Sequence, residues 1–302
     1  MNLYIKAIGF EQVDSDFEEQ MIHAGILDSL EKGLVIKNNE LNRGAVIVRI
    51  SESTGLYIYG RFKDKEFIYE YYFPFVIGRT RCDNDEITIE RHLDKESYAV
   101  VCDESKTGVT LIFYLQNVMD YLDYICDEKG LNQKDYDVYK IPIKNKMVSL
   151  TALSLGGIIM LPTRNNKSDS VRMKKEKDDR QRLIQAAKKG DESAIESLTI
   201  EDIDTYNELS HRIVKEDVFS IVDSSFMPCG VECDQYQVVG EILELSEEIN
   251  HYTKEKIYIM VIECNDLNMT VAINQAHLLG EPAVGRRFKG QIWLQGSVKF
   301  NN

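Results

Sequence analysis

The chain has 302 residues, with 36 Lys and Arg against 50 Asp and Glu, which gives a formal net charge of -14 at pH 7. Hydrophobic residues make up 43% of the chain and charged residues 28%, a composition typical of a globular protein of about two domains. The acidic balance works against binding to nucleic acid or to an anionic membrane surface, unless a local basic patch overrides it.

Residues 1–165 are predicted to form a mixed α+β domain. The apolar run near the N-terminus predicts a strand over Leu3–Phe10, and the S-x-x-E pattern that begins at Ser15 predicts the start of a helix. Short runs rich in Val, Ile, Tyr and Phe predict six further strands, over Ala45–Ile50, Leu56–Phe62, Phe67–Phe75, Glu86–His92, Tyr98–Asp103 and Val109–Leu115.

The end of this domain is predicted to contain a second helix and a hairpin. Apolar residues recur at helical spacing from Leu115 to Cys126, and Gly130 follows as a stop signal. A final β part is expected over 136–161, with a tight hairpin at Gly156-Gly157.

Residues 166–216 are predicted to be a charged helical connector. Val171 to Gly190 holds eight Lys or Arg against three acids, and Gly190-Asp191 is expected to break the helix. A short helix over 192–198 and a third helix from Thr199 should follow. The basic helix could bind nucleic acid, an acidic partner or an acidic part of its own chain, but its alternating signs are typical of a solvated helix.

Residues 217–302 are predicted to form a five-stranded, OB-like β-barrel domain. The expected strands are Tyr236–Leu245, Ile257–Cys264, Met269–Asn274, Arg286–Leu294 and Ser297–Phe300. A helical stretch over Gln275–Leu279 separates the third strand from the fourth, which is the layout of an OB-fold, although a generic five-stranded barrel fits the same count. The predicted fold class is therefore α+β with three parts, 1–165, 166–216 and 217–302.

Two segments of the chain resemble a known family. They are the opening LYIKAIGF and the C-terminal stretch that contains FMPCGVECDQYQVVGEI and LLGEPAVGRRFKGQIWLQGSVKF. They resemble an uncharacterised bacterial family, a domain of unknown function in anaerobic Gram-positive bacteria, mainly over 217–300 and 1–10. The resemblance implies a cytoplasmic bacterial protein and names no catalytic residue.

One basic and aromatic cluster is the candidate ligand-binding site. It comprises Arg286, Arg287, Lys289 and Trp293, in a C-terminal region where acids outnumber Lys and Arg by 20 to 8. Strand alternation places Arg287, Lys289 and Trp293 on one face, which suits stacking and phosphate contacts with a single-stranded nucleic acid or a sugar. The competing interpretation is that Trp293 closes one end of the barrel while the cations pair with nearby carboxylates.

An aromatic hairpin is the candidate partner-binding site. Nine Tyr and Phe side chains fall between Tyr57 and Phe75. Alternation directs one set of rings inward, where cross-strand pairing would stabilise the sheet, and leaves an outward set for a partner. The outward set is predicted to be Tyr57, Tyr59, Tyr69 and Tyr71.

No motif of a known catalytic, cofactor or metal site is present. GxGxxG, GxxxxGK[ST], HExxH and GxSxG are absent, and Cys229 and Cys233 are too far apart in sequence for CxxC. We therefore expect no cofactor and no metal, although Cys229, Cys233 and Asp234 could hold an ion if a histidine folded near them.

The expected location is the cytoplasm. Lys6 interrupts the first apolar run, so no secretory signal is predicted, and the uncharged stretch Met147–Thr163 is too short and too rich in Gly and Ser to span a membrane. The six scattered cysteines are expected to be free thiols in a reducing compartment.

The predicted function is binding or scaffolding through protein–protein contacts, without evident catalysis. The alternative is a module that binds single-stranded nucleic acid through the barrel face. A third hypothesis is an unrecognised hydrolase, which would need a pocket lined by carboxylates of shifted pKa.

Overall fold

The structure is a computed structural model of the chain. It describes residues 2–63, 66–91, 98–103, 110–129, 141–162, 179–180, 182–184, 186–187, 189–200, 203, 224–230 and 233–300. The chain divides into a main unit, Met1–Met160 with Ser224–Asn302, and an inserted unit, Leu161–Asp223. The predicted domain boundaries at 165/166 and 216/217 lie outside the described residues, so the three-part division stays a prediction.

The main unit has a mixed α+β fold made mostly of strands. Its elements up to the inserted unit are a short 3-10 helix (Leu3–Ile8), α1 (Ser15–Glu31), β1 (Ile36–Asn38), β2 (Arg43–Arg49), β3 (Thr54–Lys63), β4 (Glu66–Val76), β5 (Cys82–Arg91), β6 (Tyr98–Asp103), β7 (Thr110–Leu115), α2 (Val118–Lys129) and β8 (Ile141–Met160). After the inserted unit come β9 (Ser225–Pro228), β10 (Gln235–Ile249), β11 (Lys256–Cys264), β12 (Leu267–Asn274), a second 3-10 helix (Gln275–His277), β13 (Leu278–Leu279) and β14 (Arg287–Val298).

The N-terminal segment is a 3-10 helix, so the strand predicted over Leu3–Phe10 is wrong. The Asn2 side chain accepts a hydrogen bond from the Tyr4 backbone N–H, and Gly9 ends the helix with a φ of 87°. Ile5, Ile8 and Phe10 are fully buried. The apolar run therefore indicated burial correctly, but local capping by Asn2 favours helical turns over an extended chain.

Helix α1 confirms the predicted helix, but its N-cap lies one residue earlier than predicted. Asp14, and not Ser15, is the N-cap, and its side chain accepts a hydrogen bond from the Phe17 N–H. The helix ends in a Schellman turn: Gly33 has a φ of 67°, the Gly33 N–H donates to the Leu30 carbonyl, and the Leu34 N–H donates to the Ser29 carbonyl.

The small sheet is antiparallel with the order β1-β2-β3-β4. Its strands β2, β3 and β4 correspond to the predicted strands, including the predicted aromatic hairpin. Glu70 is an extra residue on β4, because Tyr71 pairs with Tyr59 while Tyr69 already pairs with Gly60. Such a bulge, together with Pro74, protects an outer strand against unwanted pairing.

In the large sheet, five strands are hydrogen-bonded in a closed circuit. Strand β10 pairs with β11, β11 with β12, β12 with β8, β8 with β14, and β14 again with β10. Only the pairing of β12 with β8 is parallel within this circuit. β8 precedes the inserted unit and the other four strands follow it, so residues from both sides of the inserted unit build the same sheet.

Strand β8 runs without interruption through Gly156-Gly157, so the hairpin predicted there is wrong. Gly157 pairs with Gly290 of β14, and a Cβ atom at Gly157 would lie 2.3 Å from Cε2 of Phe288. The fully buried Phe288 ring fills the space that a side chain at Gly157 would need. The glycine thus permits a close approach inside the sheet and does not form a turn.

The core of the main unit is one continuous apolar cluster. Buried side chains from both sheets, from α1 and α2 and from the first 3-10 helix belong to it. Burying each of its Val, Leu, Ile and Phe side chains contributes roughly 1.5–3 kcal/mol relative to an exposed position.

Most described residues of the inserted unit are helical. Gly190 has a φ of 87°, and the Asp191 carboxylate accepts hydrogen bonds from the N–H groups of Ser193 and Ala194 at the start of the helical residues 192–200. The predicted helix break at Gly190-Asp191 is therefore confirmed. The short helix predicted over 192–198 is also confirmed, but it continues through Thr199, so no new helix starts at that residue. The basic helix and the rest of the predicted third helix lie largely outside the described residues. Within the part of the chain that the structure describes, no helix is long and apolar enough to cross a membrane.

Candidate functional site

Strand β14 carries three of the four residues predicted to bind a ligand. Phe288, Ile292 and Leu294 are fully buried, whereas Lys289 is half-buried and Gln291 is exposed. Alternation along the strand therefore directs Lys289 and Gln291 away from the interior of the circuit.

The strands beside β14 extend this outward surface. Two residues that pair directly across neighbouring strands point to the same face of the sheet. The residues that pair with the outward side chains of β14, and their own partners on the next strands, therefore form one surface, which we call the open face. It comprises Ser225, Met227, Gln237, Val239, Glu241, Gly156, Ile158, Met160, Leu279, Arg287, Lys289 and Gln291.

The open face exposes large apolar side chains among polar ones. Leu279 is 67% exposed, Met227 55% and Ile158 46%. Leu279 lies opposite Ile158, and Ile158 lies opposite Lys289, so these three form one row across β13, β8 and β14. A Cβ atom at Gly156, which lies opposite Gln291, would have no neighbouring atom within 4 Å, so the surface is flat there. Contiguous apolar exposure of this kind marks interaction surfaces.

The predicted cations lie on the open face or at its end. Arg287 is buried, opposite Glu241 and Met160, and Lys289 is half-buried. Arg286 precedes β14, and its guanidinium donates a hydrogen bond to the Glu281 carbonyl at 2.7 Å.

Trp293 lies on the same side of β14 but is 7% exposed. Its indole N–H donates to the Asp234 carboxylate at 2.7 Å, and its ring packs on Tyr4 and Tyr114 at centroid distances of 4.9 and 5.1 Å. Burial, with the Asp234 charge and Cys229 nearby, raises the pKa of Tyr4 to about 12. Trp293 is therefore a packed, hydrogen-bonded residue in this structure, and its predicted ligand-binding role remains untested.

A buried amide network covers the surface next to Trp293. The Gln116 side-chain amide donates to the Thr151 hydroxyl at 2.9 Å and to the side-chain oxygen Oε1 of Gln295 at 2.8 Å. The Gln295 side-chain amide in turn donates to the Pro74 backbone carbonyl at 3.0 Å. On β12, the Thr270 hydroxyl accepts the Arg79 N–H at 2.9 Å. This part of the circuit faces protein and not solvent.

The four predicted partner-binding tyrosines divide into two pairs. Tyr57 stacks on Phe73 and Tyr59 packs on Tyr71, and both Tyr57 and Tyr59 are buried. Burial is also the main cause of the raised pKa of Tyr57. Tyr69 is exposed and Tyr71 half-buried. The prediction that Tyr57 and Tyr59 point outward is therefore wrong, because both rings belong to the core.

A buried carboxylate that the sequence did not indicate joins the two sheets. Glu248 of β10 accepts hydrogen bonds from the Ser51 hydroxyl at 2.6 Å and the Ser53 N–H at 2.8 Å, and its other oxygen lies 3.6 Å from the Arg79 guanidinium. Desolvation raises the pKa of Glu248, but the hydrogen bonds from Ser51 and Ser53 and the Arg79 charge outweigh it, so that the net pKa is lowered.

A second polar contact joins the N-terminal segment to the second 3-10 helix. Glu11 is hydrogen-bonded to the His277 ring and, through its other oxygen, forms an ion pair with Lys6 at 3.4 Å. The hydrogen bond with His277 is the main cause of the lowered pKa of Glu11. Among the described residues, no three His, Cys, Asp or Glu side chains lie close enough together to hold a metal ion. Cys229, Cys233 and Asp234 are described and do not form such a group.

Comparisons with known proteins give one match. A search of curated proteins and a search of solved structures found none. A family model matches residues 5–296, which is nearly the whole chain. The chain therefore belongs to the family described as "Domain of unknown function, E. rectale Gene description (DUF3881)".

Proposed function

We propose that the protein is a binding or scaffold protein that acts through protein–protein contacts at the open face. The observation that carries this proposal is the row of Leu279, Ile158 and Lys289, in which two exposed apolar side chains lie side by side on a sheet surface. Covering such side chains with a partner removes apolar area from water, which is the main favourable term in association.

Polar and charged side chains surround the exposed apolar row. Arg286, Arg287 and Lys289 lie on or beside the open face, as does Glu241. All three cations already interact within the chain, and Arg286 does so by donating a hydrogen bond to the Glu281 carbonyl. We propose a partner surface with apolar side chains at its centre and polar side chains around them, because such a pattern complements the row and its surroundings.

The alternative function is binding of single-stranded nucleic acid by an OB-like barrel. We propose that the closed circuit is such a barrel, with β8 as its fifth strand. OB-folds bind ligands on the face of their second and third strands, which here would be β11 and β12. Nearly all residues of these two strands are buried, and Trp293 is packed against Tyr4. Both observations favour protein contacts over base stacking.

The remaining hypotheses stay proposals of lower rank. Tyr69 and Tyr71 could extend a partner surface on the small sheet, since Tyr69 is exposed. The hydrolase stays a third hypothesis: desolvation raises the pKa of Asp123, whereas the pKa of Glu11 and of Glu248 is lowered. A cytoplasmic location remains the expectation from the sequence.

Site-specific photo-crosslinking in the native cells tests the proposed function. A photoreactive amino acid at position 279 should give a defined crosslinked protein, whereas the same group at Ile249, also exposed but outside the open face, should not. Ile158→Glu should abolish the product at 279, because it places a carboxylate in the centre of the contact. Equal labelling from positions 279 and 249, or labelling that Ile158→Glu leaves intact, would contradict the proposal.

A further inference from the structure

A buried carboxylate lies between helix α1 and β4, the outer strand of the small sheet. Glu18 of α1 is 6% exposed, and its Oε1 accepts a hydrogen bond from the Tyr72 hydroxyl at 2.5 Å. The Tyr72 oxygen in turn accepts a hydrogen bond from the Asn2 N–H at 3.0 Å. These two bonds fix the Glu18 side chain against β4.

The second oxygen of this carboxylate has no partner. Oε2 of Glu18 is buried and makes no hydrogen bond. Within the part of the chain that the structure describes, no Lys, Arg or His pairs with Glu18 or with its neighbour Glu19. Because a buried charged oxygen without a donor is costly, it points to a cationic donor that a ligand supplies.

An exposed aromatic ring lies on the same side of the small sheet. Tyr69 of β4 pairs with Gly60 of β3, and Tyr72 pairs with Ile58. Gly60 and Ile58 are two residues apart on β3, so Tyr69 and Tyr72 lie on one face, the face against which Glu18 is bonded. The Tyr69 side chain is 42% exposed and so can contact a ligand.

The electrostatic field at Tyr69 is negative. Burial is the main cause of the raised pKa of Tyr69, and the charges of Glu18 and Glu19 add to it. Burial also raises the pKa of Tyr72, and the hydrogen bond to Glu18 contributes. A cation beside the Tyr69 ring would therefore be attracted by two carboxylates and by the face of the ring.

We propose that Glu18 and Tyr69 form a binding site for a guanidinium group, carried by an arginine side chain of a partner protein. One N–H of the guanidinium donates to Oε2 of Glu18, and the guanidinium plane stacks on the Tyr69 ring. Oε2 is enclosed, so the cation enters as the Tyr69 side chain turns aside, a rotamer change that exposed side chains make readily. This site is separate from the open face and does not depend on the function proposed there.

Two arguments favour a guanidinium over other cations. A metal ion takes several oxygen, nitrogen or sulfur ligands, and no three His, Cys, Asp or Glu side chains are grouped for it among the described residues. An ammonium group is strongly hydrated and has no plane to stack, whereas a guanidinium is weakly hydrated and suits both a buried carboxylate and an aromatic face.

An NMR titration of the full chain with N-acetyl-arginine amide tests the site, because this probe carries one guanidinium and no other charge. The backbone signals of Glu18 and Tyr69 should shift saturably, and the neutral analogue N-acetyl-citrulline amide should leave them unchanged. The same arginine at the centre of a capped five-residue alanine peptide should bind as well. A peptide that fails where the amide binds would overturn the assignment to a partner protein and leave a small guanidinium compound as the ligand.

Matched variants separate the site from the general negative charge of the chain. Glu18→Gln keeps the size and the acceptor for Tyr72, and should weaken binding about tenfold or more, because a hydrogen bond to a charged group is lost. Tyr69→Leu, at an exposed position, should weaken it about threefold. Glu31→Gln removes the same charge from the exposed end of α1, about 20 Å along the helix, and should leave the affinity unchanged. Circular dichroism confirms the fold of each variant.

Three results would overturn the proposal. The first is the absence of a saturable shift with N-acetyl-arginine amide at millimolar concentration. The second is equal binding of the citrulline analogue, which has no charge. The third is equal weakening by Glu18→Gln and Glu31→Gln, which would reduce the effect to the net charge of the chain.

Discussion

Glu248 is a single buried residue that links the two sheets by hydrogen bonds. It lies in β10, yet it accepts hydrogen bonds from Ser51 and Ser53 in the β2–β3 turn. Hydrogen bonds to a charged group contribute about 1.5–3 kcal/mol each, and a buried donor that loses its acceptor costs free energy as well. The stability of this contact should therefore depend on the charge of one carboxylate.

We expect Glu248→Gln to lower the free energy of unfolding by about 2 kcal/mol at pH 7. Because the pKa of Glu248 is lowered in the folded protein, its contribution is complete above the unfolded value of about 4.3 and is lost as the pH falls through the folded value. The difference between wild type and variant, measured by urea unfolding from pH 7 to pH 3, should shrink towards the acid end. A constant difference across this range would argue against an ionised Glu248.

Trp293 is the only tryptophan of the chain and reports on its own surroundings. Its ring lies against Tyr4 and Tyr114 and its N–H is bonded to Asp234. We expect blue-shifted emission and weak quenching by acrylamide compared with free tryptophan. A single-stranded oligonucleotide at low salt should leave the emission unchanged. A saturable, salt-sensitive change would instead support the nucleic-acid hypothesis.

At the scale of the elements, alternation and helical spacing predicted most strands and both main helices. The pattern predicts a strand over Tyr98–Asp103, and β6 has those bounds. Two errors have a physical cause. Leu3–Ile8 is apolar except for Lys6, and such a short segment does not distinguish a strand from a buried 3-10 helix by alternation. The Gly156-Gly157 pair is typical of a turn, but Gly157 is needed because the Phe288 ring occupies the space of its side chain.

The candidate site could be predicted only in part. Alternation along one strand places Arg287, Lys289 and Gln291 on a common face, and the register agrees. Ile158 and Leu279 reach the same face from strands that are far away in sequence, by pairings that no local pattern encodes. The burial of Trp293, Tyr57 and Tyr59 also depends on contacts between distant segments, which hydropathy alone does not reveal.

Strand β8 offers a matched pair of substitutions. Gly157→Ala should lower the free energy of unfolding by about 1–3 kcal/mol, because its methyl group would collide with the buried Phe288 ring. Gly156→Ala, at the neighbouring exposed position with open space around it, should be neutral or slightly stabilising. Thermal unfolding of the two variants provides the comparison, and equal losses of stability would contradict the close approach at Gly157.

At the scale of the whole molecule, the main unit is built from two stretches of chain. Residues up to Met160 supply β8, and residues from Ser224 supply its partners β12 and β14. We expect the fragment 224–302 to be unfolded by circular dichroism when expressed alone, because the circuit lacks a strand. Co-expression with the fragment 1–160 should yield a folded complex. A fragment 224–302 that folds without β8 would show that the circuit closes in another way.

The shared sheet also matters while the ribosome makes the protein. The segment Leu150–Met160 of β8 leaves the ribosome long before β14, which ends at Val298. At a synthesis rate of roughly 5–20 residues per second, its apolar edge stays unpaired for on the order of 10 s before its partner strand is made. We expect nascent chains arrested near residue 200 to bind chaperones or aggregate through this segment, and release to full length to remove that tendency.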